Sequence, residues 1–543
     1  MKSWVLVLSA VASAFCTVLS TEPVGSGFAA IAAPLFLILI AMHAKSTRIA
    51  LLIIFITQIP VWMFLHAWVS EVSFVGWIGL SLYMSIWATL FVWLLRKIIL
   101  IESISLVISA PTLWVGLECL RGIIIFEGYP WYLSGTGIVD WPMAMIASVG
   151  GVWLASFLVV SISAALANIT KVKWWTFAIL ILVITVTSMC HFGDYILELD
   201  RKRIEVAVVQ TNVPQSRKIS WTWERQVEDI SKSIQFTYEA MEKEEVQPSL
   251  VVWPETMVLG SGFETNRFDF APWDEDYTEL WIWAESVRIV AKEINTPILV
   301  GSQTWINIDI TEGSDYLKVD PQQKFNSAVL VHPDGTTHRY DKLFLTPFGE
   351  RIPYLEYFPA LKNWVRKKIG IEMLFDLQAG ETTTRFTLPA ENLDGDATEI
   401  TFATPICFED TVPRIVRKLV WEDGERKAGV LINLSNDGWL GSDKSAHLQH
   451  VREARMRCIE NRTPMLRSAN TGVSCYINSS GKVIKELPIL ENGILTTMVD
   501  SGVQRPLSRF IGDSVAWLCL IGSILLVLGS SMKRSIEQDE ITS

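Results

Sequence analysis

Three short segments place a carboxylate, an ammonium and a thiol where apolar runs stop. VVWPET (251–256) puts Glu255 directly after a proline, YDKLFLTPFGE (340–350) puts Lys342 at the end of a hairpin, and TPICFED (404–410) launches Cys407 from a strand into a turn. Those groups suffice for acyl transfer. The carboxylate removes the thiol proton, the thiolate attacks a carbonyl carbon, and the ammonium stabilises the oxyanion that develops. Singly each is weak: a cysteine at a strand end is more often a small buried hydrophobe, and a lone Glu or Lys is usually a solvated surface group.

The elements that must position these residues are legible as short β-rich runs. IEVAVVQTNV (204–213), SLVVW (249–253), TPILVGS (296–302), EITFATPIC (399–407) and GVLINLS (429–435) read as buried strands ending in polar residues. FNSAVLVHPDGTTHRYDK (325–342) and CYINSSGKVIKEL (475–487) read as hairpins turning at Asp334-Gly335 and Ser480-Gly481. Residues 224–243, and 445–461 with arginines at helical spacings, read as helices. The expectation is an α/β sandwich with its chemistry just past the strand ends.

That domain is only part of the chain. Of 543 residues half are hydrophobic, and charge is scarce before about residue 200 and abundant from there to about 500. The net charge of −11 argues against a nucleic-acid partner. Seven cysteines lack paired spacing, so no disulfide framework is expected.

Apolar stretches near 4–20, 27–43, 49–68, 73–95, 104–125, 143–168, 174–191 and 511–532 each approach the length needed to cross a bilayer, giving eight candidate spans. With a cytoplasmic N-terminus, Lys45, Arg48, Arg96, Lys97, Lys171, Lys173, Lys533 and Arg534 all fall on the inner side. The opposite connections carry Glu22, Glu71, Glu127 and Asp140 without Lys or Arg. The charged domain is then outside the cytoplasm. The expected division is a membrane domain over 1–199, a catalytic domain over 200–503, and an eighth span with a cytoplasmic tail over 504–543. A cleaved signal peptide is the other reading of the first stretch; an uncleaved span is the simpler one. In the fifth span Glu118 and Arg121 share a helical face. One reading is an ion pair that fixes packing, the other a polar wall of a lipid-headgroup cavity.

VVWPE, KLFLTPFGE and PICFE, in this order, resemble the catalytic segments of the nitrilase superfamily of carbon-nitrogen hydrolases, and LSNDGWLG (434–441) resembles its segment after the nucleophile. LECLRGIIIFEGYPW, VVQTNVPQS, TPFGERIP and the stretch from His447 to Val473 extend the resemblance to the apolipoprotein N-acyltransferase family over nearly the whole chain. The resemblance implies a nitrilase-like αββα sandwich inserted between spans of an eight-helix bundle. It implies Cys407 as nucleophile, Glu255 as general base and Lys342 as oxyanion stabiliser, with Glu350 and Glu409 in support. Trp221 or Trp223 matches a family tryptophan, and Phe408 stands where the family often has tyrosine. The implied partners are a phospholipid acyl donor and a diacylglyceryl-modified apolipoprotein acceptor, in the bacterial inner membrane with the catalytic domain periplasmic, and no cofactor. Two ping-pong half-reactions through a thioester fit these residues.

Two segments read as covers for such a thioester: Tyr354 to Ile371, basic and apolar at helical spacing, which equally suits an ordinary surface helix, and 263–277, rich in aromatics. His447 and His450, one turn apart with Asp443 nearby, lack a suitably spaced third zinc ligand. The competing functions are a membrane-tethered amidase, and a lipid transporter or sensor with an inactive domain.

Overall fold

A computed structural model describes residues 1–99, 105–171, 173–193, 201–214, 222–243, 247–260, 263, 278–312, 317–354, 357–358, 360 and 377–542. Both candidate covers, 263–277 and 354–371, fall almost entirely outside these residues, as does Trp221. The chain forms two compact units. The first comprises Met1–Leu197, Trp439–Glu460 and Pro506–Ser543; the second comprises Glu198–Gly438 and Asn461–Arg505.

The first unit is helical. Each of the eight apolar stretches holds a helix: Ser3–Leu19, Gly27–His43, Thr47–Leu65, Phe74–Ile98, Leu106–Cys119, Ala147–Ala167, Trp174–Gly193 and Ser514–Thr542. Among the described residues five helical segments are long and apolar enough to cross a membrane, and Ser3–Leu19, Gly27–His43 and Thr176–Met189 are shorter.

The helix Lys444–Asn461 contributes most of its length to this unit. Its arginines explain their spacing. Arg452 donates to Glu22 at 2.7 Å and Asp140 at 2.9 Å, and Arg455 to Asp140 at 2.6 Å. Glu453 accepts from Tyr132 N at 2.9 Å and Thr136 Oγ1 at 3.0 Å, so one face of a polar helix has its buried charges paired or hydrogen-bonded within the unit.

The ion-pair reading of Glu118 and Arg121 is not met. After Cys119 the helix widens into a π-turn, Leu120–Ile124, which re-aims the side chains. Arg121 donates instead to the carbonyls of Tyr129, Trp131 and Tyr132.

The second unit is built on β1 (Lys202–Gln210), β2 (Leu250–Val252), β3 (Val258–Gly260), β4 (Ile298–Glu312), β5 (Leu317–Val331), β6 (Thr337–Asp341), β7 (Arg385–Asn392), β8 (Ala397–Ala403), β9 (Trp421–Glu422), β10 (Glu425–Arg426), β11 (Val430–Ser435), β12 (Met465–Ala469), β13 (Cys475–Ile477), β14 (Val483–Glu486) and β15 (Gly493–Asp500). β9 and β10 form a small separate ribbon; the rest order as β14-β13-β12-β11-β8-β7-β1-β2-β4-β5-β6, with β15 added to β1 and β3 to β4. β1 meets β7 only through Lys202 and Arg203. The connected ladder thus folds into two layers, with β1 packed on β8 and β12. Helices Trp223–Lys243 and Thr278–Glu293 cover one layer, burying Ile230, Ala284 and Val287 against Val209, Val251 and Val300.

This is the expected α/β sandwich. All five predicted strands and both hairpins form, with Gly335 at φ 85° and Gly481 at φ 78° in the turns. β7, β12 and β15 were not anticipated. β7 contains Pro389, β12 carries Arg467 in its centre, and β15 mixes threonine into its apolar run, so none shows a clean strand pattern.

Candidate active site

Glu255, Lys342 and Cys407 arrive from three different connections and are brought together at one end of the second unit. Glu255 follows β2 and is 5% exposed; Lys342 follows β6 and is 1% exposed. Lys342 Nζ lies 3.9 Å from Glu255 Oε1 and 2.7 Å from Glu350 Oε2. Glu350 reaches it because TPFGE closes a turn, in which Glu350 N donates to Thr346 O at 2.9 Å and Thr346 N to Glu350 Oε2 at 2.8 Å.

The strand-to-turn geometry at Glu255 needs a glycine across from it. A Cβ on Gly301 would lie 2.4 Å from Pro254 O and 2.5 Å from Glu255 Cα, so only glycine lets β4 pass this close. The carboxylate itself is fixed from two sides. Oε1 accepts from Asn326 Nδ2 at 2.7 Å and Oε2 from the backbone N of Asn436 at 2.6 Å.

Cys407 begins a short 3-10 turn, Cys407–Thr411, at φ 50°. That left-handed backbone costs a non-glycine residue on the order of 1–3 kcal/mol and persists only where the surroundings over-determine it. Three sets of contacts do so. Ile406 bridges to Leu434 of β11. Asn433 Nδ2 donates to the carbonyls of Pro405 at 3.0 Å and Cys407 at 3.3 Å. Asp410, fully buried, is ion-paired with Arg467, which also reaches Asp437 Oδ2 at 3.4 Å.

Glu409 ties the cysteine turn to the lysine turn. Its carboxylate accepts from Ile406 N at 2.8 Å on one side and from Leu343 N at 2.8 Å and Phe344 N at 2.9 Å on the other, with Tyr340 OH at 3.0 Å. Phe408 stacks on Phe344, ring centres 6.3 Å apart. Trp223 packs on Trp283 with ring centres 5.0 Å apart, at the start of its helix.

Burial and charge set the protonation states. Burial pushes the Cys407 thiol well above its ordinary range, and the nearby Glu255 carboxylate adds to this against the opposing pull of Lys342. Burial also raises Glu255, again opposed by Lys342. For Lys342 burial disfavours the charged form, but Glu350 and then Glu255 outweigh it and hold the ammonium charged. Glu350 is the mirror image: burial raises it, Lys342 prevails, and it stays ionised. Burial lifts Glu409 to about 7. The resting arrangement is an ionised Lys342–Glu350 pair beside a protonated thiol and a carboxylate of raised basicity, suited to proton transfer at the moment of attack.

Sequence reasoning missed Asn326, Asn433 and the Arg467–Asp410–Asp437 cluster. The available signal was a polar residue inside an apolar run: Asn326 in FNSAVLV, Asn433 in VLINLS and Arg467 in MLRSA, all buried. His447 Nε2 is 3.0 Å from Gly441 O and His450 stacks near Trp131, 5.5 Å between ring centres. Among the described residues no group of three or more such side chains is placed to hold a metal ion.

Residues 13–165 match the profile of the apolipoprotein N-acyltransferase N-terminal domain, and residues 205–508 that of carbon-nitrogen hydrolase. The apolipoprotein N-acyltransferase of Geobacter metallireducens is 28% identical over 451 residues, 80% of this chain and 76% of that one. That of Vibrio cholerae is 26% identical over 485 residues, 86% and 85% respectively, and that of Chlorobaculum tepidum 27% over 451, 79% and 78%. A solved carbon-nitrogen hydrolase superfamily protein from Xanthomonas campestris overlays 55% of this chain and 90% of its own at 17% identity, with a TM-score of 0.34.

Proposed function

The chain belongs to the carbon-nitrogen hydrolase family, and from that premise we propose that it N-acylates the amino-terminal diacylglyceryl-cysteine of lipoproteins, with a phospholipid as acyl donor. One observation carries the reading. A carboxylate, ammonium and thiol converge in a carbon-nitrogen hydrolase domain, on a chain whose first part matches the apolipoprotein N-acyltransferase N-terminal domain.

The reaction proceeds in two halves. Glu255 takes the Cys407 proton as Sγ bonds to the sn-1 ester carbonyl carbon; the C=O electron pair moves to oxygen, where Lys342 stabilises it. Collapse breaks the bond to the glycerol oxygen, which takes the proton from Glu255 and leaves as lysophospholipid. The acyl group is now a thioester. The free α-amine of the lipoprotein cysteine then attacks it, Glu255 accepts the amine proton, and collapse to the amide expels the Cys407 thiolate, which regains that proton. Glu350 keeps Lys342 charged and positioned, and Glu409 holds the two turns in register.

Both substrates are lipid-anchored, so apolar helices on the same chain confine them near the site and supply proximity. The proposed organisation is a membrane domain over 1–199, a catalytic domain over 200–503 of which 439–460 fold with the first unit, and an eighth span over 504–543. The basic connections favour a bacterial inner membrane with the catalytic domain periplasmic.

The test is mass spectrometry of the full chain incubated with phospholipid alone, then with a diacylated lipopeptide. The expected result is an acyl adduct on Cys407, absent in Cys407→Ser, that transfers to the peptide amine. Active transfer without any adduct overturns the ping-pong route. Hydrolysis of small amides outpacing transfer replaces it with a membrane-tethered amidase.

A further inference from the structure

Two asparagines bridge the layers of the sandwich at the end that carries the site. Asn436 follows β11 and Asn470 follows β12, neighbouring parallel strands of one layer. Thr211 and Val213 follow β1 and Glu255 follows β2, neighbouring parallel strands of the other. Asn436 crosses to the carboxylate, its backbone N donating to Glu255 Oε2 at 2.6 Å. Asn470 crosses to the end of β1 and is fully buried.

The Asn470 side chain uses the whole capacity of an amide, two acceptor positions and two donors. Oδ1 accepts from Thr211 Oγ1 at 2.8 Å and from Val213 N at 2.9 Å. Nδ2 donates to Val213 O at 2.8 Å and to Asn436 Oδ1 at 2.9 Å. A side-chain amide can ordinarily be turned over, exchanging oxygen for nitrogen. Here it cannot, because a backbone N–H only donates and a backbone carbonyl only accepts, so the two groups of Val213 fix which end of Asn470 is which. Asn470 therefore presents a donor to Asn436 and holds its side-chain oxygen. Main-chain bonds brace the same corner, from Asn212 N to Asn470 O at 2.9 Å and from Asn470 N to Ser435 O at 3.0 Å.

A buried polar network with every member satisfied has one arrangement and resists any other. This one ends on the residue whose main chain holds Glu255, and a catalytic group must be kept within roughly 0.5 Å of its productive place.

We propose that Asn470 is a positioning residue for the general base: by locking Asn436 across the two layers it keeps the Asn436 N–H on Glu255 Oε2. The inference rests on the role proposed above for Glu255 and is independent of which acyl donor or acceptor is used. A hydrogen bond to an ionised carboxylate favours that form, so losing it raises Glu255 further above the ordinary range, where burial has already placed it. Lys342, Glu350 and Cys407 also act on Glu255, and none of them is altered in the variants below.

The test is the rate at which iodoacetamide alkylates Cys407 in the full chain, read by mass spectrometry across pH and needing no lipid. The acid limb of the wild-type profile should disappear in Glu255→Gln; a limb that persists there removes Glu255 as the base and this inference with it. In Asn470→Leu the limb should move to higher pH by about one unit, the shift that a hydrogen bond to a charged group is worth. Slowing at every pH with the limb unmoved, as loosened packing alone would give, overturns the proposal. Asn436→Ala should shift the limb equally, and the double variant no further than either single one; additive shifts overturn action through Asn436. Should Asn470→Leu not fold, Thr211→Val removes one of the four bonds to Asn470 and leaves Asn436 and Glu255 unaltered. A smaller upward shift there supports the proposal, and a limb unmoved in both Thr211→Val and Asn436→Ala overturns it. Phospholipid loading of the wild-type chain is measured separately, and its absence counts against the acyl-transfer reading while the limb comparison still decides the role of Asn470.

Discussion

Glu255 and Glu350, two buried carboxylates that should repel, share one amide: Asn326 Nδ2 lies 2.7 Å from Glu255 Oε1 and 2.9 Å from Glu350 Oε1. The general base and the counter-ion of Lys342 are thereby held in one frame. Asn326→Leu removes a hydrogen bond from each carboxylate, and bonds to charged groups are worth roughly 1.5–3 kcal/mol. The expected outcome is acyl loading slowed by about ten- to a hundredfold, read as the rate of adduct formation on Cys407, in a protein that still folds.

Lys342 Nζ lies between these carboxylates, 3.9 Å from Glu255 Oε1 and 2.7 Å from Glu350 Oε2. Lys342→Met removes that buried cation, and breaking a buried pair costs on the order of 3–5 kcal/mol. The single variant should lose both acyl loading and thermal stability. Adding Glu350→Gln should restore part of the stability and none of the loading. A double-mutant cycle by thermal unfolding measures the coupling, and additive losses would contradict the pairing.

The pH dependence follows from Glu255. Its folded-state carboxyl lies above the ordinary glutamate range because of burial, and a base works only when deprotonated. Loading should therefore rise as pH climbs through that raised value, with an acid limb above the ~4.3 of a free glutamate. Glu350 contributes to the upward shift through its charge, so Glu350→Gln should move the limb to lower pH. A pH–rate profile of adduct formation reads this, and a limb unmoved or moved upward refutes it.

Gly301→Ala addresses the backbone that presents the base. Its Cβ would meet Pro254 O at 2.4 Å and Glu255 Cα at 2.5 Å, and overpacking of this kind costs about 1–3 kcal/mol. The expected result is a fold retained at reduced stability with loading lowered further than the stability loss explains, because Glu255 itself is displaced. Circular dichroism melts alongside the loading assay separate the two effects.

Glu409→Gln tests the link between the cysteine and lysine turns. The amide keeps one acceptor oxygen and replaces the other with a donor, which faces either Ile406 N or the paired N–H groups of Leu343 and Phe344. Loading should fall at least tenfold while iodoacetamide still alkylates Cys407. Unchanged loading would reduce Glu409 to a buried acid with no bearing on the site.

Most of the sandwich was legible because buried strands write themselves as continuous apolar runs, and the runs ending at Glu255 and near Cys407 became β2 and β8. β7, β12 and β15 were not, since Pro389, Arg467 and the threonines break that pattern while tertiary pairing supplies what local propensity lacks. The eight apolar stretches were equally plain, because hydrophobic length survives without any knowledge of neighbours. Which helix charges pair was hidden: Glu118 and Arg121, three residues apart, take separate partners once a π-turn intervenes.

The sequence by itself determined the chemistry available, since Glu255, Lys342 and Cys407 each follow closely on a run that reads as a strand and so fall in the connections past the strand ends. Only the tertiary structure decided how those groups are supported. Asn326 meets Glu255 across 71 residues and Asn436 across 181, and Arg467 reaches Asp410 across 57. Such contacts depend on strand order and register, which are set by global packing of the two layers and leave no local periodicity to read.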